Sequence, residues 1–205
     1  MGTKMNATAM RLGVSKGWKS SWYATGKQYE QYLHEDIAIH DLVAKKVKSA
    51  GLAGVNIRRA SGKVIITMKV ARPGVVIGRQ GSGIETLKQE LKSIVKEEID
   101  LRIKEVESVE TNARIIANNI VEGIEKRQAP KLLANAEINK AMQAGAKGVM
   151  IWVSGRIRGQ KDARRLKFID GSVPLQTIRA DIDYACEVAQ YPNAGKTSVK
   201  VWVHK

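Results

Sequence analysis

The sequence predicts an α/β protein of the α+β type, arranged as two successive domains behind a basic arm. Three observations lead there. At 205 residues the chain suits one large domain or two small ones, and either can bury a real core. Segments of helical period alternate with segments of period two along most of its length. Pro130 separates a first half in which helices and strands intermix from a second half dominated by strands. The boundaries that follow are an arm over 1–35, a first domain over 36–110 and a second over 111–205. The second divides into a helical connection over 111–145 and a mainly antiparallel or mixed sheet over 147–205, covered by helices.

The arm, "RLGVSKGWKSSWYATGKQYEQYL", interleaves Trp18 and Trp22 with Lys16, Lys19 and Lys27 and shows little periodicity before residue 28. Two readings stay open: its indoles stack on RNA bases or sugars, or they anchor the arm to the protein's own core. Residues 36–50 form a helix with Ile39, Leu42, Val43, Val47 and Ala50 on one face, ended by Gly51. Two β-rich runs then flank "ASGK", whose Ser-Gly pair signals a hairpin, and Pro73 stops the second strand. After a glycine-rich loop, Ile84, Leu87, Leu91, Ile94 and Val95 recur at helical spacing, and "IDLRIKEVE" alternates as a strand. "TNARIIANNIVEGIEK" is a helix capped by Thr111 or Asn112. A helical run to Met142 follows, and then "GVMIWVSGRIRG" with Val149, Ile151 and Val153 on one strand face. A strand turning at Asp170-Gly171 comes next. "QTIRADIDYACEVAQ" is ambiguous; its Ile178, Ala180, Ile182, Tyr184 alternation favours a strand for its first part. "TSVKVWVHK" is the last strand.

The formal net charge of +15 and a pI of about 10 point to a polyanionic partner, nucleic acid or an anionic membrane surface. No apolar run reaches the length of a membrane-spanning helix, and "MGTKMNATAM" lacks the apolar core of a signal peptide. Asn6 stands where a myristoylation signal wants Ser or Thr. Cys186 is the only cysteine, which excludes an internal disulfide and a cysteine-rich metal site and fits a reducing cytoplasm.

Residues 70–87, "VARPGVVIGRQGSGIETL", place Gly78, Gly81 and Gly83 between a strand and a helix, the setting of a phosphate contact. Their order is wrong for a dinucleotide fingerprint, and no second parallel unit follows. "AGKT" at 194–197 copies the tail of a phosphate-binding loop, but Gln190 replaces the required glycine and a strand follows instead of a helix. The order helix, strand, strand, short apolar turn, Gly78-Arg79-Gln80-Gly81, helix, strand is that of the bacterial, type-two KH module. That module clamps single-stranded nucleic acid on a G-x-x-G loop. Glycines let the backbone approach phosphates, and Arg72 and Arg79 add charge. The plain alternative is a helix-capping turn. In the second half, "SGRIRGQKDARRLK" sets Arg156, Arg158, Lys161, Arg164, Arg165 and Lys167 against one acid, Asp162. Arg156 and Arg158 would face one way from a strand while the others crowd a loop, a pattern for RNA-backbone contact. Arg179 either acts likewise or, preferably, pairs with Asp181 or Asp183.

Five stretches carry a more specific likeness: "RLGVSKGWKSSWYA", "ARPGVVIGRQG", "GAKGVMIWVSGRIRG", "VPLQTIRADIDYA" and "VKVWVHK". Spread over nearly the whole chain, they resemble the bacterial small-subunit ribosomal protein S-three family, which joins an N-terminal KH domain to a second α/β domain. The resemblance implies a structural role in the head of the small ribosomal subunit, cytoplasmic, in contact with rRNA and with mRNA where it enters its channel. It implies ribosomal proteins S-ten and S-fourteen as neighbours. On this reading Lys4, Arg11, Lys16, Trp18, Lys19 and Trp22 of the arm and the 156–167 cluster bind rRNA, and Lys126, Arg127 and Lys131 face the mRNA path. In an assembled particle the KH loop can also turn to solvent or to another protein. The chain departs from the family in the helix after the boundary. There Leu132, Asn135, Ala136 and Glu137 take places where cations are expected beside Lys140, which weakens the implied mRNA-unwinding role. "MNATAM" also replaces a His-Pro-Asn-Gly type stretch before "RLG", and no basic tail follows the last strand.

An enzyme is not expected. His34, His40 and His204 have no metal or triad spacing, and Cys186 reads as a small core residue. Asp181 and Asp183 would share a strand face and could hold Mg²⁺, but Arg179 on that face favours neutralisation. No cofactor, metal, small-molecule substrate or membrane is expected. The alternative role is a free-standing KH-domain RNA-binding regulator or chaperone, whose surface chemistry would look the same.

Overall fold

The fold is that of a computed structural model describing residues 5–60, 62–78, 81–95, 97–157, 161–191 and 195–205. Two units form: one from Trp18–Glu107, the other from Ser108–Lys205 together with the N-terminal segment up to Gly17. The expected arm is therefore not one piece, because its two ends belong to different units.

In the Trp18–Glu107 unit the strands β1 (Ser20–Ser21), β2 (Leu52–Ala60), β3 (Lys63–Val70) and β4 (Glu98–Glu105) form one mixed sheet in that order. The hairpin β2–β3 is antiparallel, with Ile57 opposite Ile66. The parallel β3–β4 pair requires a crossover, supplied by the short helix α2 (Pro73–Ile77) and by α3 (Ser82–Lys92). Buried Val64, Ile66 and Met68 of β3 alternate with less buried neighbours, so one sheet face packs on Ile39 and Val43 of α1 and Leu91 of α3.

Helix α1 spans Lys27–Lys46, not the expected 36–50. A separate 3-10 turn over Lys48–Ala50 leads into Gly51, whose φ of 73° closes the segment. Its first half escapes periodicity because it is held by polar and aromatic contacts. Arg59 on β2, with a side chain only 5% exposed, pairs with Glu35 at 2.7 Å and Asp36 at 2.9 Å and lies 4.2 Å over the Tyr32 ring. Trp22 Nε1 donates to the other Asp36 oxygen at 2.8 Å.

In the other unit α4 (Ala113–Glu125) and α5 (Pro130–Gln143) cover one face of an antiparallel sheet. Its strands are β5 (Gly148–Gly155), β6 (Arg164–Gly171), β7 (Ile182–Tyr191) and β8 (Gly195–His204), in the order β6-β5-β8-β7. Ile116, Ile120 and Ile124 of α4 and Ala134, Ile138 and Ala141 of α5 share a core with Ile151, Val153, Val199 and Val201. Each fully buried isoleucine or valine of this core contributes about 1.5–3 kcal/mol. Asn112 is the cap of α4, accepting from the Arg114 and Ile115 amides. Asp183 accepts from the Ala113 amide at 3.1 Å and completes that helix end.

The expected strand over the first part of 176–190 does not form; β7 starts at Ile182. The carbonyls of Leu175, Thr177 and Ala180 are engaged by the Arg11 side chain instead of a strand ladder. Asp181 consequently lies off the strand and pairs with Lys16. Asp183 is 4.0 Å from Lys205 Nζ, so the expected pairing of these acids with Arg179 gives way to other partners.

Candidate nucleic-acid interface

The glycine loop is built by close approach. Gly78, with φ at 70°, ends α2, and Gly81, with φ at 84°, opens α3. Both are left-handed positions where a side chain would be strained. Gly83 serves differently: a Cβ there would sit 2.4 Å from the Val76 carbonyl oxygen, so the two helices meet only because it is glycine. Arg72 is exposed at the start of α2, and Val75 and Ile77 are exposed on the turn leading to the loop. The loop thus presents bare backbone, one flanking cation and an apolar shoulder. Arg79 and Gln80 lie outside the described residues, as do Lys4 and Arg158. Behind the loop a shallow groove of about 260 Å³ runs between α2, α3 and the end of α1. Lys46 and Glu90, paired at 2.7 Å, contribute to its lining.

The arm requires three corrections. Arg11 is fully buried, at 0% exposure. Nε and Nη2 donate at 2.8 Å to the carbonyls of Ala180 and Thr177, and Nη1 at 2.9 Å to that of Ala7. A guanidinium so enclosed, with four of its five N–H donors on backbone carbonyls, fastens the segment up to Gly17 to its unit and is shielded from RNA by its burial. Lys16 is committed to Asp181 at 2.5 Å, which with that hydrogen bond as its main cause holds the Asp181 carboxyl below its ordinary value, against a smaller opposing effect of burial. Trp22 packs edge-on against Tyr32 and tilted on Tyr29 while donating to Asp36, so its indole anchors α1. Trp18, 70% exposed, and Lys19 remain open to a partner.

The second basic cluster is rearranged as well. Strand β5 ends at Gly155, so Arg156 follows it in the connection, where Arg156 and Lys161 are exposed. Arg164, Arg165 and Lys167 are not loop residues but members of β6. Strand alternation sends Arg165 and Lys167 to one face and Arg164 to the other. Arg165 and Lys167 lie 5.2 Å and 4.9 Å from the Trp152 ring centroid. The Arg and Lys count follows the same geography: the unit containing this sheet holds 19 of the 35 Lys and Arg and 9 of the 20 Asp and Glu. Most of the net charge therefore belongs to it.

Lys126, Arg127 and Lys131 are all exposed around the connection from α4 to α5. Arg127 has φ at 62°, the only positive value at a non-glycine residue among the described residues. Its amide donates to Ile124 O at 2.9 Å and the Gln128 amide donates to Gly123 O at 3.0 Å. This is a Schellman closure with arginine in the position usually held by glycine. Glu137, one of the acids found where cations were expected, is buried and accepts from Asn119 of α4 and Lys140 of its own helix. Its place is explained by helix packing.

Comparison with known proteins places this geometry. A KH domain family model matches residues 38–111, and the model for the C-terminal domain of ribosomal protein S3 matches 116–203. A small ribosomal subunit protein uS3 from Myxococcus xanthus is 44% identical over 205 residues, covering 100% of this chain and 92% of the relative. The chain belongs to the uS3 family. The Listeria welshimeri protein of that name is 41% identical over all of this chain and 93% of its own length. That of Clostridioides difficile is 44% identical over 99% of this chain and 75% of its own. The uS3 family is one of structural ribosomal proteins, named for a place in the subunit and not for a reaction. Its two-domain arrangement is the α/β architecture described above, a KH domain followed by a sheet domain.

Sequence reasoning missed Trp152 and Lys200, which the sheet brings beside Lys167: Trp152 is opposite Lys167 on one side and Lys200 on the other. The signal was present in the alternation of "TSVKVWVH", whose outward positions include Ser198, Lys200 and Trp202.

Proposed function

We propose that this small ribosomal subunit protein is a constituent of the head that binds rRNA and steers mRNA where it enters its channel. The rRNA contacts fall to Trp18, Lys19 and the cations over 156–167, with the KH loop and Arg72 as a further backbone contact. The mRNA contact falls to Lys126, Arg127 and Lys131. The observation that carries the mRNA part is Arg127 itself. A non-glycine residue in the left-handed region costs about 1–2 kcal/mol, and such strain is retained where the side chain has work to do. Two further exposed cations flank it on a turn braced by two packed helices.

Arg127→Gly tests this directly. The turn keeps its geometry, so stability holds or rises by up to about 1 kcal/mol in thermal melting, once the extra chain entropy of glycine is set against the relieved strain. Subunits rebuilt with the variant should translate an mRNA bearing a stem near the channel mouth more slowly, and an unstructured mRNA normally. Equal rates on both templates would remove the mRNA part of the proposal. The free-standing regulator is separated by sedimentation of salt-washed ribosomes. Retention of the chain with the small subunit supports the structural role; release at moderate salt, where a binder making about six phosphate contacts loses orders of magnitude in affinity, supports the regulator.

A protein neighbour is supported by an exposed stripe on α1, where Tyr29, Leu33 and Ile37 recur at helical spacing. Ribosomal proteins S-ten and S-fourteen are the candidates that the family suggests, and cross-linking from Leu33→Cys, with Cys186 replaced by serine, reads out which one docks.

A further inference from the structure

We infer that the uncovered face of the β6-β5-β8-β7 sheet is a platform for RNA that reads phosphates and not bases. The helices α4 and α5 cover one face of this sheet. On the other, part of the surface is closed by a small cluster of Ala7, Met150, Ile182 and Trp202. Beside it, with Trp152 packed on its edge, the strand register assembles a row with exposed ends and a half-buried middle: Lys167 opposite Trp152, Trp152 opposite Lys200, Lys200 opposite Cys186. The next row holds Arg165 opposite Ser154 and Ser154 opposite Ser198. None of the outward positions in these four strands is Asp or Glu. Cations from two strands with hydroxyls between them and no acid on the face form a surface complementary to a polyanion.

Trp152 decides what kind of polyanion contact this is. An indole on an open sheet usually offers its π-face to a base. Here Arg165 and Lys167 already lie over the ring, within the distance of a cation–π contact. The indole, packed against Trp202 at 5.1 Å between centroids, is a seat for the cations. It holds them over the sheet and leaves no free ring for stacking. The platform therefore recognises a sugar-phosphate backbone by charge and spacing, without base preference. This rests on the reading that the chain binds RNA, and it adds Trp152, Ser198 and Lys200 to the residues doing so.

Cys186, exposed at the end of the row and the only cysteine, is a built-in reporter. The rate of its alkylation by N-ethylmaleimide is measured on the full chain alone, with a mixed-sequence RNA duplex, with a duplex of permuted sequence, and with polyglutamate. Both duplexes should slow alkylation severalfold and equally. The double variant Lys167→Gln, Lys200→Gln should restore the free rate and flatten the salt dependence of binding by about 0.9 in the log–log slope for each phosphate contact removed. RNA binding with no protection of Cys186 and an unchanged slope in the variant overturns the platform while leaving RNA binding by other surfaces standing. Absence of any RNA binding overturns both. Protection by polyglutamate but not by RNA overturns it in favour of an acidic protein segment.

Discussion

Each unit holds part of the N-terminal chain in place with one buried arginine, and the two arginines are held in opposite ways. Arg59, in the Trp18–Glu107 unit, is surrounded by carboxylates: Glu35 at 2.7 Å, Asp36 at 2.9 Å and Glu97 at 3.6 Å. Arg11, in the other unit, hydrogen-bonds backbone carbonyls and no carboxylate. A carboxylate cage neutralises the charge but leaves one buried acid, Asp36, and two partly buried ones dependent on one cation. A carbonyl cage offers only dipoles, and it uses the planar fork of the guanidinium to fix the directions of several chain segments at once. The first arrangement is an electrostatic lock between α1 and β2. The second is a geometric one between the chain's beginning and the turn before β7. Neither arginine is available to RNA, although both are cations in a strongly basic chain.

The comparison breaks most visibly at Arg59. Arg59→Ala strands Glu35 and Asp36 without their partner and should cost about 3–5 kcal/mol in chemical denaturation. Neutralising the acids in the same chain, Glu35→Gln with Asp36→Asn, should return much of that loss. No such rescue exists for Arg11, whose partners are backbone. Arg11→Lys should cost about 1–3 kcal/mol, because an ammonium keeps the charge but cannot reach carbonyls in the fork's directions. Equal costs for lysine and arginine there would show that charge alone matters and would erase the distinction. The smallest effect belongs to Lys16–Asp181, which reinforces the Arg11 tether at the surface. Lys16→Ala should cost no more than about 1 kcal/mol. The Lys16 hydrogen bond and charge lower the Asp181 carboxyl from its ordinary 3.8, while its partial burial opposes them. The pair's contribution is thus complete above that pH and fades as pH falls through the lowered value. Acid titration of stability in wild type and Lys16→Ala should converge at low pH; a constant offset would mean that the pair is not the source.

Much of the fold was legible because its signals are local. The hairpin around Gly62, the α4 face of Ile116, Ile120 and Ile124, and the Gly78–Gly81 loop each show their cause within a few residues. The first half of α1 and the start of β7 were not legible. Both are decided by arginines whose partners lie far away, Arg59 from Glu35 by 24 residues and Arg11 from Ala180 by 169. The site followed the same division. Cation-rich stretches and loop glycines could be read directly, whereas the sorting of cations into free and committed could not.

The sequence by itself determined the α+β class, the KH order of elements, the glycines that let a backbone approach and the basic charge that calls for a polyanion. Only the tertiary structure decided which basic and aromatic groups stay exposed and which are committed within the fold. It withdrew Arg11, Lys16 and Trp22, divided Arg164 from Arg165 and Lys167, and brought Trp152 and Lys200 beside them. A guanidinium bonds equally well to a carbonyl, a carboxylate or a phosphate, so its role is set by whichever acceptor the fold brings within about 3 Å of it.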